Sequence, residues 1–110
     1  MARLLSSTKH GGEGFVTLGG ELQGEQSTTR LEQWVEDHFV DDGVVTIHID
    51  VSEVSRIDLE GVAALALLAA EAIKQRKVLV IDGASGQVRN KLEETGLLRY
   101  LQGAGGTTAE

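Results

Sequence analysis

The chain has 110 residues, 41% of them hydrophobic and 25% charged, which suits one domain with one core and excludes a chain disordered throughout. Cysteine is absent, so disulfide staples, thiolate metal sites and cysteine nucleophiles are excluded. The formal net charge of −7 argues against a nucleic-acid partner and against docking on an anionic membrane, since both would repel it.

No targeting or membrane-inserting segment is expected. The start, Met1 to Ser7, has too short an apolar run for a signal peptide. The most apolar stretch, Gly61 to Ile73, is far shorter than the ~20 residues that span a bilayer, and it contains Glu71. A cytoplasmic protein follows as the expectation.

The elements alternate along the chain. Leu4 to Lys9 and Phe15 to Leu18 read as two strands, close enough to pair as a hairpin across Gly11-Gly12-Glu13-Gly14. Thr29-Arg30-Leu31-Glu32 matches a capping box and predicts a helix start. Leu31, Trp34, Val35, His38 and Phe39 then fall on one helical face, which predicts a buried Trp34. Val44 to Val51 is the clearest strand, and its apolar, β-branched density predicts burial on both faces.

A second helix carries Val62, Leu65, Ala66, Ala69, Ala72 and Ile73 on one stripe, its alanines small enough for close packing on a sheet. Lys77 to Ile81 is a further buried strand. Ser85 can cap a third helix bearing Val88 and Leu92, with Gly96 as its left-handed stop. Strands alternating with helices predict an α/β fold, a mixed sheet with helices packed on it, in one domain over residues 1–102. Residues 103–110 are glycine-rich, have nothing to bury and are expected to form a flexible tail.

Convergent catalytic groups are few, and the chain is not expected to be an enzyme or to hold a metal or cofactor. His10 lies near the start. His38 falls on an apolar stripe, where a packed histidine is the simplest reading, and His48 sits mid-strand, pointing away from Ile47 and Ile49. Gly83-Ala84-Ser85-Gly86 lacks the lysine of a phosphate-binding loop.

One junction stands out on physical grounds. Ile57-Asp58-Leu59-Glu60-Gly61-Val62 joins the strong strand to the alanine-rich helix. Asp58 suits an N-cap, and Glu60 would lie in the first turn, where the helix dipole favours negative charge by about 0.3–1 kcal/mol.

These residues also carry a family resemblance. Val45 to Asp50, then Val51-Ser52-Glu53-Val54-Ser55-Arg56-Ile57-Asp58-Leu59-Glu60-Gly61-Val62, resembles the centre of a STAS domain, the domain of bacterial anti-anti-sigma factors and sulfate-transporter tails. Gly20-Glu21-Leu22 resembles the family's turn before its first helix, Lys77 to Ile81 its next strand, and Val88 to Leu97 its late helix ending in Thr-Gly-Leu. The resemblance runs from about Phe15 to Leu101.

It implies a partner-binding surface at Asp58, Leu59, Glu60, Gly61 and Val62. The partner implied is a protein, a serine-kinase-type anti-sigma factor. In phosphorylatable members the second hydroxyl residue of Asp-Ser-Ser-Gly takes the phosphate. Here Glu60 is the phosphosite equivalent and Leu59 precedes it, so the motif holds no hydroxyl; Gln23 also replaces the usual Asp after Gly-Glu-Leu. Glutamate brings one negative charge where phosphoserine would bring about −1.5 to −2. The resemblance thus implies an anti-anti-sigma-like interaction domain, a monomer or weak dimer, insensitive to phosphorylation at this motif. Two alternatives stay open: an accessory subunit on the ATPase of a lipid-transport ABC complex, or a small-ligand or nucleotide sensor, which Glu60 disfavours by repelling an anion.

Overall fold

The computed structural model describes residues 2–103 and 108–109. The chain opens with strands β1 (Arg3–His10) and β2 (Glu13–Leu22), paired antiparallel. Their turn is shorter than the glycine run suggests. His10 faces Glu13, so Gly11 and Gly12 alone form the loop. Both have positive φ, as the tight hairpin turn that matches strand twist requires. Helix α1 (Ser27–Val40) follows, then β3 (Thr46–Ile57), α2 (Leu59–Lys74), β4 (Val78–Asp82), α3 (Gly86–Glu94), α4 (Leu97–Gly103) and β5 (Thr108–Ala109).

The strand order is sequential, β1-β2-β3-β4-β5, with every pair after the hairpin parallel. The expected α/β architecture with a mixed sheet is therefore what forms. Each crossover steps to the next strand in the same direction. With crossovers of one hand, every helix then lands on the same face of the sheet. Burial follows that rule. In β3, Ile47, Ile49 and Val51 are buried, while Thr46, His48 and Asp50 between them are only half-buried. The expected burial of this strand on both faces is thus corrected: one face meets the helices and the other is open.

The open face carries a row of its own. Phe15, His48 and Val80 align across β2, β3 and β4, and the Phe15 and His48 rings stack at 4.8 Å. His48 sits between Glu13, 2.8 Å from Nε2, and Asp82, 3.2 Å from Nδ1. As the sequence predicts, this histidine points away from Ile47 and Ile49.

On the covered face, Leu18, Leu22, Leu31, Ile47, Ile49, Ile57, Leu65, Leu68, Ile81 and Leu92 are fully buried. Each such side chain contributes about 1.5–3 kcal/mol relative to leaving it in water. Several helix details differ from the sequence reading. Helix α1 starts two residues before Thr29, with Gln26 at the N-cap position and no side-chain cap bond, so the Thr29–Glu32 capping box does not form. Ser27 is buried there instead, its amide bonded to the Gly24 carbonyl. Trp34 is half-buried at the edge of the stripe, while Leu31, Val35, His38 and Phe39 fill the core. In α2 the buried side is Val62, Ala64, Leu65, Leu68, Ala69 and Ala72, and Ile73 is exposed.

Ser85 takes the predicted N-cap position of α3 but makes no side-chain cap bond. Gly96, at φ +79°, ends the helix as expected. Beyond it lies α4, which the sequence reading did not separate. The segment Gly20-Glu21-Leu22, expected as a turn, is the end of β2; the turn comes after it, at Gly24. Of the expected tail 103–110, Gly103 closes α4 and Thr108–Ala109 pair with Ile81 and Asp82; the remaining positions lie outside the described residues.

Two polar groups tie α1 to the sheet. Lys77, buried, donates to the carbonyls of Asp41 at 2.7 Å and Val44 at 2.6 Å, just past the negative end of α1. His38 is 1% exposed, as the packed reading predicts, and lies against Gly14, where a side chain would collide with its ring. Its Nε2 and the Ser7 hydroxyl share a hydrogen bond of 3.0 Å, while Nδ1 has no partner among the described residues.

Two measurements follow. The cavity left by Leu31→Ala should cost about 2–5 kcal/mol, and Trp34→Ala should cost less because part of that ring already meets water. Urea denaturation checks the order; the reverse order would rotate the helix by a residue or more. The second concerns His38, whose ionisation is held below the ordinary value of 6.5, first by burial and next by Lys9. Lys77 adds to this, and Asp37 and Asp41 oppose it. A histidine lowered in the folded state leaves stability intact above 6.5 and removes it as pH falls below that value. Wild type should therefore lose stability below pH 6.5 more steeply than His38→Gln, read as denaturation midpoints across that window.

Candidate functional site

Strand β3 outruns β4. Its residues 46–50 pair with β4, while its pairing with β2 continues to Leu22 opposite Ile57. Past β4, the backbone of Ile57 needs another partner on that side. Gln87 supplies it: the Ile57 amide donates to Gln87 Oε1 at 2.9 Å, and Gln87 Nε2 donates to the Ile57 carbonyl at 2.8 Å. One side chain from α3 thus imitates a strand and holds the end of β3 in line. Nothing local in the sequence marks Gln87 for this role, because its partner lies 30 positions away.

The chain then turns into α2 under tight constraint. The Asp58 amide donates to the Leu22 carbonyl at 3.3 Å. The Asp58 carboxylate accepts from the Gly61 amide at 2.8 Å, the predicted N-cap. Its other oxygen accepts from the Gly24 amide at 3.1 Å, which fastens the loop between β2 and α1 to the same turn. Gly61 is buried, and a Cβ there would overlap the Leu22 carbonyl oxygen and crowd Ile57. Val62 is buried as well, at the start of the core-facing side of α2.

The five residues predicted for this site therefore divide. Asp58 and Gly61 shape the turn, Val62 anchors it, and Leu59 and Glu60 stand out from it. Leu59 is 63% exposed, so its apolar side chain stands mostly in water. Glu60 is exposed in the first turn of α2, as expected. Around them lies a shallow polar depression lined by Gln23, Arg56, Asp58, Leu59, Glu60, Gln87 and Lys91. It mixes two cations with two carboxylates, so it is not a simple anion cradle. Ser55 is the neighbouring hydroxyl in sequence, and it donates to the Gly20 carbonyl at 3.2 Å, away from the turn.

From Leu59 an apolar stripe runs along the outer side of α2. Ala63, Leu67 and Ala70 follow at helical spacing, all exposed. The alanines of this helix thus serve two faces: Ala64, Ala69 and Ala72 pack inward, while Ala63 and Ala70 leave the outside smooth. Beside the stripe, Val62, Ala63, Ala66, Leu67, Leu97 and Tyr100 line an apolar groove between α2 and α4. Among the described residues, no three metal-ligating side chains come together and no helix is long and apolar enough to cross a membrane.

The turn makes a graded prediction. Asp58→Ala should cost about 0.5–2 kcal/mol, the usual value of a lost cap. Gly61→Ala should cost more, because it forces α2 away from β2 rather than removing one bond. Glu60→Ser, which touches neither constraint, should change stability least. Denaturation of the three variants checks this; a Gly61→Ala protein as stable as wild type would contradict the packing of the turn.

Comparison with known proteins covers nearly the whole chain. No curated relative matches the sequence. Among solved structures, a candidate anti-sigma factor antagonist of Thermotoga maritima is similar with a TM-score of 0.78 at 17% identity, covering 96% of this chain and 85% of that one. An anti-sigma factor antagonist of Mycobacterium paratuberculosis is similar with a TM-score of 0.76 at 22% identity, covering 91% and 82%. A murine Solute Carrier 26 family anion transporter contains a similar fold, with a TM-score of 0.76 at 22% identity over 94% of this chain and 17% of that one. The fold is therefore shared by antagonists of anti-sigma factors and by a transporter, and the sequence itself assigns the family: residues 5–103 match the family described as Mlab, STAS domain, and the chain belongs to it.

Proposed function

We propose that this STAS domain is a non-enzymatic, cytoplasmic protein-interaction module of the anti-anti-sigma type. Its partner would be a serine-kinase-type regulatory ATPase, docked on Leu59 and Glu60 and supported from below by Asp58, Gly61 and Val62. The observation that carries this reading is the exposure of Leu59 and Glu60 on a turn that three hydrogen bonds of Asp58, to Leu22, Gly24 and Gly61, hold in place. A rigid turn displaying one apolar anchor and one charge is suited to recognition, because little ordering cost remains to be met on binding. Glu60 sets partner choice, since charges at the edge of an interface act on specificity and association rate more than on affinity. With Leu59 and Glu60 where related motifs carry hydroxyls, the motif has no acceptor for a phosphoryl group.

That last feature favours a second reading over the same surface. A motif that cannot be phosphorylated suits a permanent subunit as well as a switch. The chain would then be the accessory subunit on the ATPase of a lipid-transport ABC complex. Identifying the protein retained by the wild-type chain, and released by Leu59→Asp, separates the two readings: a soluble serine kinase supports the first and an ABC ATPase the second.

The decisive measurement compares wild type, Glu60→Ser and Glu60→Gln against the captured partner. The three should differ in affinity by more than the roughly 0.3–1 kcal/mol of the helix dipole alone. A cognate kinase should label Glu60→Ser and leave wild type unlabelled at this motif. Equal affinities for all three would make Glu60 an ordinary helix-start residue and end the reading.

A further inference from the structure

A wide groove lies away from the Glu60 turn, between α1 and α2. Its volume is about 730 Å³, and its lining has two characters. The floor is apolar: Phe39 and Leu68 lie buried along it, and Val40, Leu67 and Ala70 stand exposed at its edges, Val40 and Leu67 at 70% and 52%. The walls are acidic: Glu32 and Glu36 stand one turn apart on α1, and Glu71 faces them from α2. None of these three carboxylates takes part in an ion pair among the described residues, and Lys74 is the cation of the lining.

We propose that this groove seats a cationic amphipathic helix from a partner protein. A channel between two packed helices offers the seat a third helix takes, with apolar anchors at every third or fourth residue. Glu32 and Glu36 are about 6 Å apart along α1, the spacing of two lysines or arginines on successive turns of the incoming helix. Glu71 receives a cation on its opposite flank. A second copy of this chain is the wrong occupant: it would set the same unpaired carboxylates, and a net charge of −7, against themselves. The proposal does not depend on the Glu60 turn, which lies outside this groove.

The test uses the full chain, ¹⁵N-labelled, and an amphipathic leucine–lysine peptide of about 18 residues, long enough to form a helix once bound. A leucine–glutamate peptide of the same pattern is the control. The lysine peptide should shift amides of residues 29–40 and 67–75, bind more weakly at high salt, and bind about tenfold more weakly to the Glu32→Lys/Glu36→Lys double variant. Leu67→Asp, at an exposed position, should also weaken it, and Glu60→Ser should leave it unchanged. Shifts centred on the Asp58–Glu60 turn or on the open sheet face would overturn the proposal. So would equal binding of the glutamate peptide, undiminished binding to the double variant, no binding, or concentration-dependent self-association through these same amides.

Discussion

The first turn of α2 comes so close to the end of β2 that position 61 has no room for a Cβ beside the Leu22 carbonyl. Most of the site depends on that approach. It requires β2 and β3 to stay paired to Leu22 and Ile57, well past the end of β4. It brings the Asp58 carboxylate within reach of two amides, Gly61 of α2 and Gly24 of the loop before α1. It also leaves residues 59 and 60 no inward direction, because 61 and 62 already occupy the space beneath them. The exposure of Leu59 is thus a result of backbone packing, and its apolar surface remains available to a partner without any rearrangement.

The sequential strand order produces the second division in the molecule. With all helices on one face, the sheet has a wet side on which Phe15 and His48 stack and two carboxylates flank the imidazole. The covered side has no such polar row. There the polar groups that do enter are tied to backbone or hydroxyl partners. Lys77 takes carbonyls at the C-terminal end of α1, and His38 meets Ser7 of the edge strand. His38 thus fixes α1 against the hairpin and Lys77 fixes its end against the start of β4, and α1 in turn forms one wall of the acidic groove.

What was legible in the sequence was local. Asp58 and Gly61 are three residues apart, and the cap between them follows from residue types alone. Gly11-Gly12 and Gly96 mark their turns for the same reason. The β3 segment misled because its β-branched residues mask a period of two: Thr46, His48 and Asp50 alternate with Ile47, Ile49 and Val51, and the polar half faces water. The Thr29–Glu32 box had the right residue types but lost to Ser27, which can be buried against the Gly24 loop only once the tertiary fold exists. Trp34 sits at the border of its helical stripe, where a shift of a few degrees decides between core and solvent. Gln87 was beyond local reading, since a lone glutamine gives no hint that its amide will complete a strand. The outer stripe of α2 was visible as alanines and leucines, but the sequence does not say which of them face outward.

The division of labour within the turn explains how this family fold can change its chemistry. The shape is set by a carboxylate at 58, a missing Cβ at 61 and an apolar anchor at 62, all turned toward the protein. Positions 59 and 60 contribute no backbone-shaping bond and are turned away from it. A hydroxyl, a leucine or a glutamate can occupy them at a cost of a few tenths of a kcal/mol to about 1 kcal/mol in helix-end electrostatics, small beside a domain's stability of about 5–15 kcal/mol. Folding therefore places little restraint on what the turn displays. On the reading proposed above, selection at 59 and 60 acts through the partner, and a chain can keep the whole STAS scaffold while exchanging a phosphorylatable pair for a fixed apolar anchor and a fixed charge.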